Sequence, residues 1–199
     1  MTKMKFCGLK RPADIEAVNE LQPDYIGFVF AKKSKRYVTP ETVGELKALL
    51  RPEIQAVGVF VNEEAAVIAD LLNTGVIDIA QLHGSEGEAE IAALRALTQK
   101  PIIQAFQVKT EEDVRTAEKS TADLILLDSG AGTGTTFDWE ILHNVNRPYF
   151  LAGGLDPENV ADAIKRAHPY AVDVSSGIET DGIKDREKMA AFQRAVNVV

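Results

Sequence analysis

The chain has a single cysteine, Cys7, and only three histidines, which lie far apart at positions 83, 143 and 168. A lone cysteine cannot form an intrachain disulfide, and no Cys/His spacing matches a zinc site. No apolar run approaches the ~18 residues of a membrane-spanning helix, and the N-terminal lysines precede no signal-peptide-like stretch. We therefore expect a cytoplasmic protein with no zinc site and no membrane partner.

Positive charge is also scarce, since 22 Lys and Arg residues face 30 Asp and Glu residues, a net charge of −8. Nucleic-acid-binding proteins usually carry a basic patch, so this balance argues against a nucleic-acid partner. It remains compatible with a small phosphorylated ligand held by backbone amides. Hydrophobic residues make up 45% and charged residues 26%, which is typical of a folded globular protein.

Short apolar runs alternate with amphipathic helical patterns along all 199 residues. The runs have the length of buried parallel strands and begin near Lys3, Asp24, Ile54, Asp78, Pro101, Ala122, Arg147 and Tyr170. Eight strands alternating with eight helices predict a parallel α/β fold. An open doubly wound sheet is one alternative, but eight regular units favour a closed (β/α)8 TIM barrel. No linker interrupts the pattern, so residues 1–199 are predicted to form one domain.

Helix N-caps are predicted at Thr39, Ser85, Thr110 and Asp156, because each precedes a helical pattern, and the last helix is predicted over Asp185–Val196. The segment after Phe137 has the weakest helical pattern, of one or two turns.

The ends of the predicted strands bring chemically useful residues to one rim of the barrel, where TIM-barrel active sites lie. The candidates are Cys7, Arg36, His83, Asp128, Gly153, Gly154, Ser175, Ser176 and Gly177. The glycine-rich turns after strands 7 and 8 predict a phosphate site, since glycine lets backbone amides approach an anion. The alternative is that these glycines only form tight turns. The stretch Gly130–Thr136 fits a flexible lid or a simple loop.

Cys7 and Asp128 end strands 1 and 6 and would flank a small ligand. A base and an acid so placed suit proton transfer in two directions, as in an isomerisation. Taken alone, a strand cysteine is more often a small buried hydrophobe. Lys5 and Asp173 should share the inward face, where their charge could favour the Cys7 thiolate, unless both point to solvent.

Arg36 could hold a carboxylate by two hydrogen bonds, or could belong to an ordinary solvated basic loop. His83 could contact the ligand or satisfy backbone groups. The burial of Asp128 at the end of an apolar strand should favour its protonated form.

These residues occur in segments that resemble the phosphoribosylanthranilate isomerase family. The matching segments are Lys5–Gly8, Gln81–Gly84, Leu126–Asp128, Gly132–Trp139, Ala152–Val160 and Asp173–Glu179. They appear in family order, with two departures: Phe6, where the family commonly has Ile, and the loop Ser129–Ala131, which is short. The resemblance implies a cofactor-free barrel enzyme of tryptophan biosynthesis. It would convert N-(5'-phosphoribosyl)anthranilate to 1-(2-carboxyphenylamino)-1-deoxyribulose 5-phosphate by an Amadori rearrangement.

By the same resemblance, Asp128 would be the general acid and Cys7 the general base. Arg36 would bind the anthranilate carboxylate, and the loops after strands 7 and 8 would bind the phosphate. The acidic limb of the pH profile would then belong to the base and the alkaline limb to the acid. The partner would be a small phosphorylated substrate, and the protein a monomer or weak homodimer.

Two other functions share some of these features. The histidine-pathway isomerase catalyses a sister Amadori reaction, but it typically uses two aspartates, and Cys7 stands at the base position here. A non-catalytic phosphosugar-binding barrel would need the phosphate loops but not the Cys7–Asp128 pair.

Overall fold

Eight parallel strands close into a barrel in the computed structural model, which describes residues 1–130, 139–143 and 145–199. The strands are β1 (Lys3–Cys7), β2 (Tyr25–Val29), β3 (Gln55–Phe60), β4 (Ile79–Leu82), β5 (Ile102–Gln107), β6 (Leu124–Asp128), β7 (Tyr149–Ala152) and β8 (Ala171–Val174). Each strand pairs with the next, and β8 pairs with β1. The predicted (β/α)8 barrel is confirmed, and the open doubly wound sheet is wrong.

Seven α-helices in the described residues pack around this barrel. They are α1 (Pro12–Leu21), α2 (Pro40–Leu49), α3 (Ala65–Asn73), α4 (Glu88–Arg95), α5 (Glu111–Glu118), α6 (Val160–Ala167) and α7 (Arg186–Asn197). Between β6 and β7 the described residues form a short 3-10 helix, Trp139–Leu142, where the helical pattern is weakest. A small antiparallel hairpin, β9 (Glu179–Thr180) with β10 (Ile183–Lys184), follows β8. No described helix combines the length and apolarity that crossing a membrane requires.

The predicted caps at Thr39 and Thr110 are confirmed, and Asp185, predicted as the first residue of its helix, is instead the residue that caps it. The side chains of Thr39, Thr110 and Asp185 each accept a hydrogen bond from a backbone N–H in the first turn of the following helix.

The predicted cap at Ser85 is wrong. Helix α4 begins later, at Glu88, because the Ser85 hydroxyl donates to Asn62 in the loop after β3. Asp156 does make the contacts of an N-cap, since its side chain accepts from the backbone N–H groups of Glu158 and Asn159, although the regular part of α6 begins only at Val160.

The barrel interior is filled at its N-terminal end by side chains from alternating strand positions. This inner cluster consists of Tyr25, Val57, Ile79, Ile103, Leu126, Phe150, Ala152 and Ala171. A second, larger apolar cluster joins the outer face of the sheet to the helices. Because this cluster occupies the barrel interior, we expect a ligand to bind at the C-terminal mouth.

The glycine-rich stretch Gly130–Thr136, predicted as a lid or a loop, lies outside the described residues except for Gly130. Most of the matching segment Gly132–Trp139 does so as well.

Candidate active site

A cavity of about 470 Å³ opens at the C-terminal mouth of the barrel. Eight of the nine predicted site residues line it: Cys7, Arg36, His83, Asp128, Gly153, Gly154, Ser175 and Ser176. They come from six different strands or the loops that follow them, so the barrel itself is what brings them together.

Gly177, the ninth predicted site residue, is not among the lining residues. A Cβ atom at this position would overlap the backbone oxygen of Leu155 in the loop after β7. The missing side chain therefore lets the loops after β7 and β8 touch, which shapes the wall of the cavity from behind.

Cys7 ends β1 with its side chain turned into the mouth, and the residue is only 8% exposed. Gly27 lies beside it on β2, and a Cβ there would come within 2.6 Å of the Cys7 Sγ. The Ser175 hydroxyl donates to the Cys7 backbone oxygen at 3.1 Å. The glycine in β2 thus provides room for the thiol, and Ser175 ties its backbone to the loop after β8.

The inward Lys5–Asp173 pair is confirmed. The two residues face each other across β1 and β8, and the Lys5 ammonium donates to both carboxylate oxygens, at 3.0 and 3.1 Å. Lys5 is fully buried, so its charge depends on this partner.

The expected thiolate at Cys7 is wrong for the free protein. Burial raises the pKa of the Cys7 thiol, and the Asp173 carboxylate adds to that effect, while the Lys5 ammonium acts against it. Since Lys5 and Asp173 form a pair of nearly cancelling charge, desolvation decides the outcome. Cys7 rests as a thiol.

Asp128 ends β6, where the Gly130 backbone N–H donates to its Oδ1 at 2.8 Å. Its Oδ2 lies 3.7 Å from His83 Nε2. Burial favours the protonated acid, but the contacts with His83 and Gly130 outweigh it and lower the pKa of Asp128. The expectation that burial would keep this carboxyl partly protonated is therefore wrong, and Asp128 rests as a carboxylate.

His83 is oriented by a residue that sequence reasoning did not assign. Its Nδ1 lies 2.7 Å from the Gln81 carboxamide nitrogen, two residues earlier on β4. If the carboxamide donates to Nδ1, the ring proton resides on Nε2 and faces Asp128. Gln81 is 1% exposed, lines the cavity, and its Oε1 has no hydrogen-bond partner among the described residues. Its place two residues before His83, on the same inward face, is the signal that could have revealed it.

Arg36 lines the cavity, and Glu179 holds it from behind. Its Nε and Nη2 each donate to one oxygen of the Glu179 carboxylate, both at 2.7 Å. This edge of the guanidinium is therefore already engaged by a carboxylate of the protein itself. A ligand must therefore use the outer edge, which carries Nη1. Glu179 lies 143 residues away in sequence, and only the folded barrel reveals the pair.

The loop after β7 carries Gly153 and Gly154, both with positive φ, at 97° and 63°. A Cβ at Gly153 would lie 2.6 Å from Asp128 Oδ1 and would also overlap Ser129. The lack of a side chain at Gly153 thus lets the loop after β7 lie close to the Asp128 carboxylate.

Gly153→Ala should lower kcat by roughly tenfold or more, because a displacement of about 1 Å at a reacting group is costly. The φ strain adds a stability loss of about 1–2 kcal/mol. Steady-state kinetics and thermal unfolding measure the two effects separately. Gly182→Ala is the matched control, since Gly182 also has positive φ but a Cβ there meets nothing within 4 Å. Equal kcat in the two variants would contradict this role for Gly153.

Comparison with known proteins agrees with this geometry. The family model for N-(5'-phosphoribosyl)anthranilate isomerase matches residues 4–195. A curated isomerase of that name from Endomicrobium trichonymphae is 43% identical and covers 95% of each chain, and one from Thermoanaerobacter sp. strain X514 is 44% identical and covers 96% of each.

Solved structures give the same result. The phosphoribosylanthranilate isomerase of Thermotoga maritima superposes with a TM-score of 0.92 at 36% identity over 100% of both chains. A phosphoribosylanthranilate isomerase in complex with reduced 1-(o-carboxyphenylamino)-1-deoxyribulose 5-phosphate superposes with a TM-score of 0.89 at 36% identity, again over both whole chains. The chain belongs to the N-(5'-phosphoribosyl)anthranilate isomerase family.

Proposed function

We propose that this enzyme isomerises N-(5'-phosphoribosyl)anthranilate to 1-(2-carboxyphenylamino)-1-deoxyribulose 5-phosphate, a step of tryptophan biosynthesis. The observation that carries the proposal is that Cys7 and Asp128 face one cavity from β1 and β6. Arg36 and the glycine loops after β7 and β8 border the same cavity. The related enzyme bound to the reduced product supports this choice of substrate.

Asp128 protonates the ribose ring oxygen in the first step. The anilino nitrogen lone pair then forms the C1=N bond as the C1–O bond to the ring oxygen breaks, which gives an open-chain Schiff base. A positioned acid is needed because an alkoxide is a poor leaving group. The Asp128 carboxylate lies between two groups: His83 Nε2 is near its Oδ2, and the Gly130 N–H donates to its Oδ1.

Cys7 removes the C2 proton of the Schiff base in the second step. The C2–H electron pair becomes the C1=C2 bond of an enolamine, and the C1=N electrons return to nitrogen. Tautomerisation then transfers the C2 hydroxyl proton away, adds a proton at C1 and leaves the C2 ketone. Atoms and electrons balance within the substrate, so no external oxidant or reductant takes part.

Binding is divided between the two ends of the cavity. The outer edge of Arg36 binds the anthranilate carboxylate, since a guanidinium can present two parallel N–H donors to it. Backbone amides around Gly153, Gly154, Ser175 and Ser176 bind the phosphate. This arrangement puts the ribose between them, next to Cys7 and Asp128.

The alternatives fit the site less well. The histidine-pathway isomerase would use an aspartate where Cys7 stands. A binding-only barrel gives no reason to place a thiol and a carboxylate together at the mouth.

We also propose that residues 1–199 act as one domain in the cytoplasm, as a monomer or weak homodimer without a nucleic-acid partner. The single cysteine and the net charge of −8 support the compartment and the lack of a nucleic-acid role. The Thermotoga maritima isomerase is described as dimeric, which supports testing for a dimer.

Turnover of freshly prepared N-(5'-phosphoribosyl)anthranilate, followed by its fluorescence, tests the proposal. The purified protein should consume the substrate at a kcat of about 1 s⁻¹ or more, the range of ordinary enzymes. The carboxyphenylamino product should appear in equal amount. A folded protein that binds the reduced product but leaves the substrate unchanged would contradict the proposal and favour the binding-only barrel.

A further inference from the structure

Lys184 is a buried charged residue that the reaction steps do not use. It lies on β10, in the small hairpin after β8, and its side chain is 2% exposed. Its ammonium donates to Glu179 Oε1 at 2.6 Å and to the Ser175 backbone oxygen at 2.8 Å. Removing an ammonium from water is costly, so a buried lysine held by two partners calls for a functional explanation.

Glu179 connects Lys184 to the substrate cavity. Its carboxylate, 8% exposed, accepts two hydrogen bonds from Arg36 on one side and one from Lys184 on the other. Burial opposes its charge, but the hydrogen bonds from Arg36 and Lys184 lower the pKa of Glu179 to about 2. Glu179 is therefore negative at neutral pH. The side chains of Arg36, Glu179 and Lys184 form a row of alternating positive and negative charge.

The net charge of these three side chains decides which ligand charges the cavity attracts. Arg36 and Glu179 alone form a neutral pair, and the carboxylate behind Arg36 would repel a second carboxylate arriving in front. Lys184 adds one positive charge, so the Arg36–Glu179–Lys184 triad carries a net charge of +1. Glu179 also occupies the Nε edge of Arg36, which leaves the Nη1 edge for the cavity.

We propose that Lys184 is a positioning residue that gives the site its preference for a carboxylate-bearing substrate. It compensates the charge of Glu179, so that Glu179 can orient Arg36 without cancelling its attraction for the anthranilate carboxylate. Its hydrogen bond to the Ser175 backbone oxygen also connects the Arg36 end of the site to the loop after β8, one of the two loops proposed to bind the phosphate. The inference rests on the proposed function and adds to it the origin of carboxylate recognition.

The test compares the affinities of two ligands for the intact protein. One is the reduced product, 1-(2-carboxyphenylamino)-1-deoxyribulose 5-phosphate after reduction, and the other is its phenylamino counterpart without the carboxylate. The ratio of the two dissociation constants measures carboxylate recognition alone, since both ligands share the phosphate and the ring. Lys184→Met should shrink this ratio by about tenfold, as expected for losing one charge several ångströms away.

Two further variants separate charge from structure. Lys188→Met is the matched control, because the exposed Lys188 also donates to Glu179, but to its backbone oxygen. It should leave the ratio unchanged. Adding Glu179→Gln to Lys184→Met returns the net charge to +1 and should recover part of the lost preference.

The possible failures are distinguishable. If Lys184→Met lowers the affinity for both ligands equally, or keeps the full wild-type preference for the carboxylate ligand, the role of Lys184 is overturned while the proposed function stands. A double variant with no recovery also overturns it. If the wild-type protein neither prefers the carboxylate ligand nor turns over the substrate, the proposed function itself fails, and the inference with it.

Discussion

Cys7→Ala should lower kcat by about 10²–10⁴-fold, the usual cost of losing a positioned base. Two described neighbours of the sulfur cannot replace it, because Gly27 has no side chain and Lys5 is bound to Asp173. Only one buried sulfur is removed, so the loss of stability should stay near 1 kcal/mol. Steady-state turnover, thermal unfolding and affinity for the reduced product measure the three quantities separately.

Cys7→Ser and alkylation provide the controls. The serine variant should remain poor, since a hydroxyl is far less acidic than a thiol. Stoichiometric alkylation of the single cysteine should abolish turnover, and bound product should protect against it. Near-full activity in the alkylated or Cys7→Ala protein would make Cys7 a packing residue and move the base elsewhere, with His83 the first candidate.

Asp128→Asn should also lower kcat by about 10²–10⁴-fold, because an amide cannot protonate the ring oxygen. The substitution is close to isosteric, and the carbonyl oxygen of the new amide can still accept the Gly130 N–H that now bonds to Asp128 Oδ1. Product affinity and unfolding temperature should therefore change little. A similar kcat for Asp128→Asn and wild type would exclude Asp128 as the acid, whereas a loss of folding would be visible in the unfolding curve.

The barrel and most of its site could be predicted from the sequence because they depend on local patterns. Eight apolar runs of strand length are enough to form a closed barrel. The polar residues at or just after the end of a run then lie at the C-terminal mouth. Cys7, His83 and Asp128 could therefore be placed on one rim before any tertiary contact was known. The inward direction of Lys5 and Asp173 follows from the same two-residue alternation.

The charge states and partners of the site residues could not be predicted, because they depend on distances across the fold. The pKa of Asp128 reflects His83, which directly follows a different strand, and Arg36 meets Glu179 from the far end of the chain. The pattern also contained no sign that Gly177 would pack against Leu155 rather than line the cavity.

The resting charges have a consequence for the reaction. The free protein holds Cys7 as a thiol of raised pKa and Asp128 as a carboxylate of lowered pKa. The scheme needs the opposite pair, a thiolate and a carboxylic acid, so only a minor fraction of the free protein is ready to react. Proton transfer from Cys7 to Asp128 through groups of the bound substrate would create the reactive pair without any change in net charge.

These resting protonation states reverse the expected assignment of the two limbs of the pH–rate profile to Cys7 and Asp128. Below the pKa of Asp128 the acid is fully protonated, and each rise in pH increases the thiolate fraction and the rate. Between the two pKa values the gain in thiolate cancels the loss of protonated Asp128, so the rate is level. Above the pKa of Cys7 only the loss of the acid remains, and the rate falls. The acidic limb therefore reports Asp128 and the alkaline limb reports Cys7.

The pH dependence of kcat/KM, measured for wild type and Asp128→Asn side by side, tests the central claim most directly. The wild-type profile should be a broad bell that is level across neutral pH. In Asp128→Asn nothing cancels the thiolate gain, so the residual kcat/KM should rise roughly tenfold per pH unit through neutrality, up to the raised pKa of Cys7. A residual bell in Asp128→Asn with the same two limbs as wild type would contradict the assignment of Asp128 as acid and Cys7 as base.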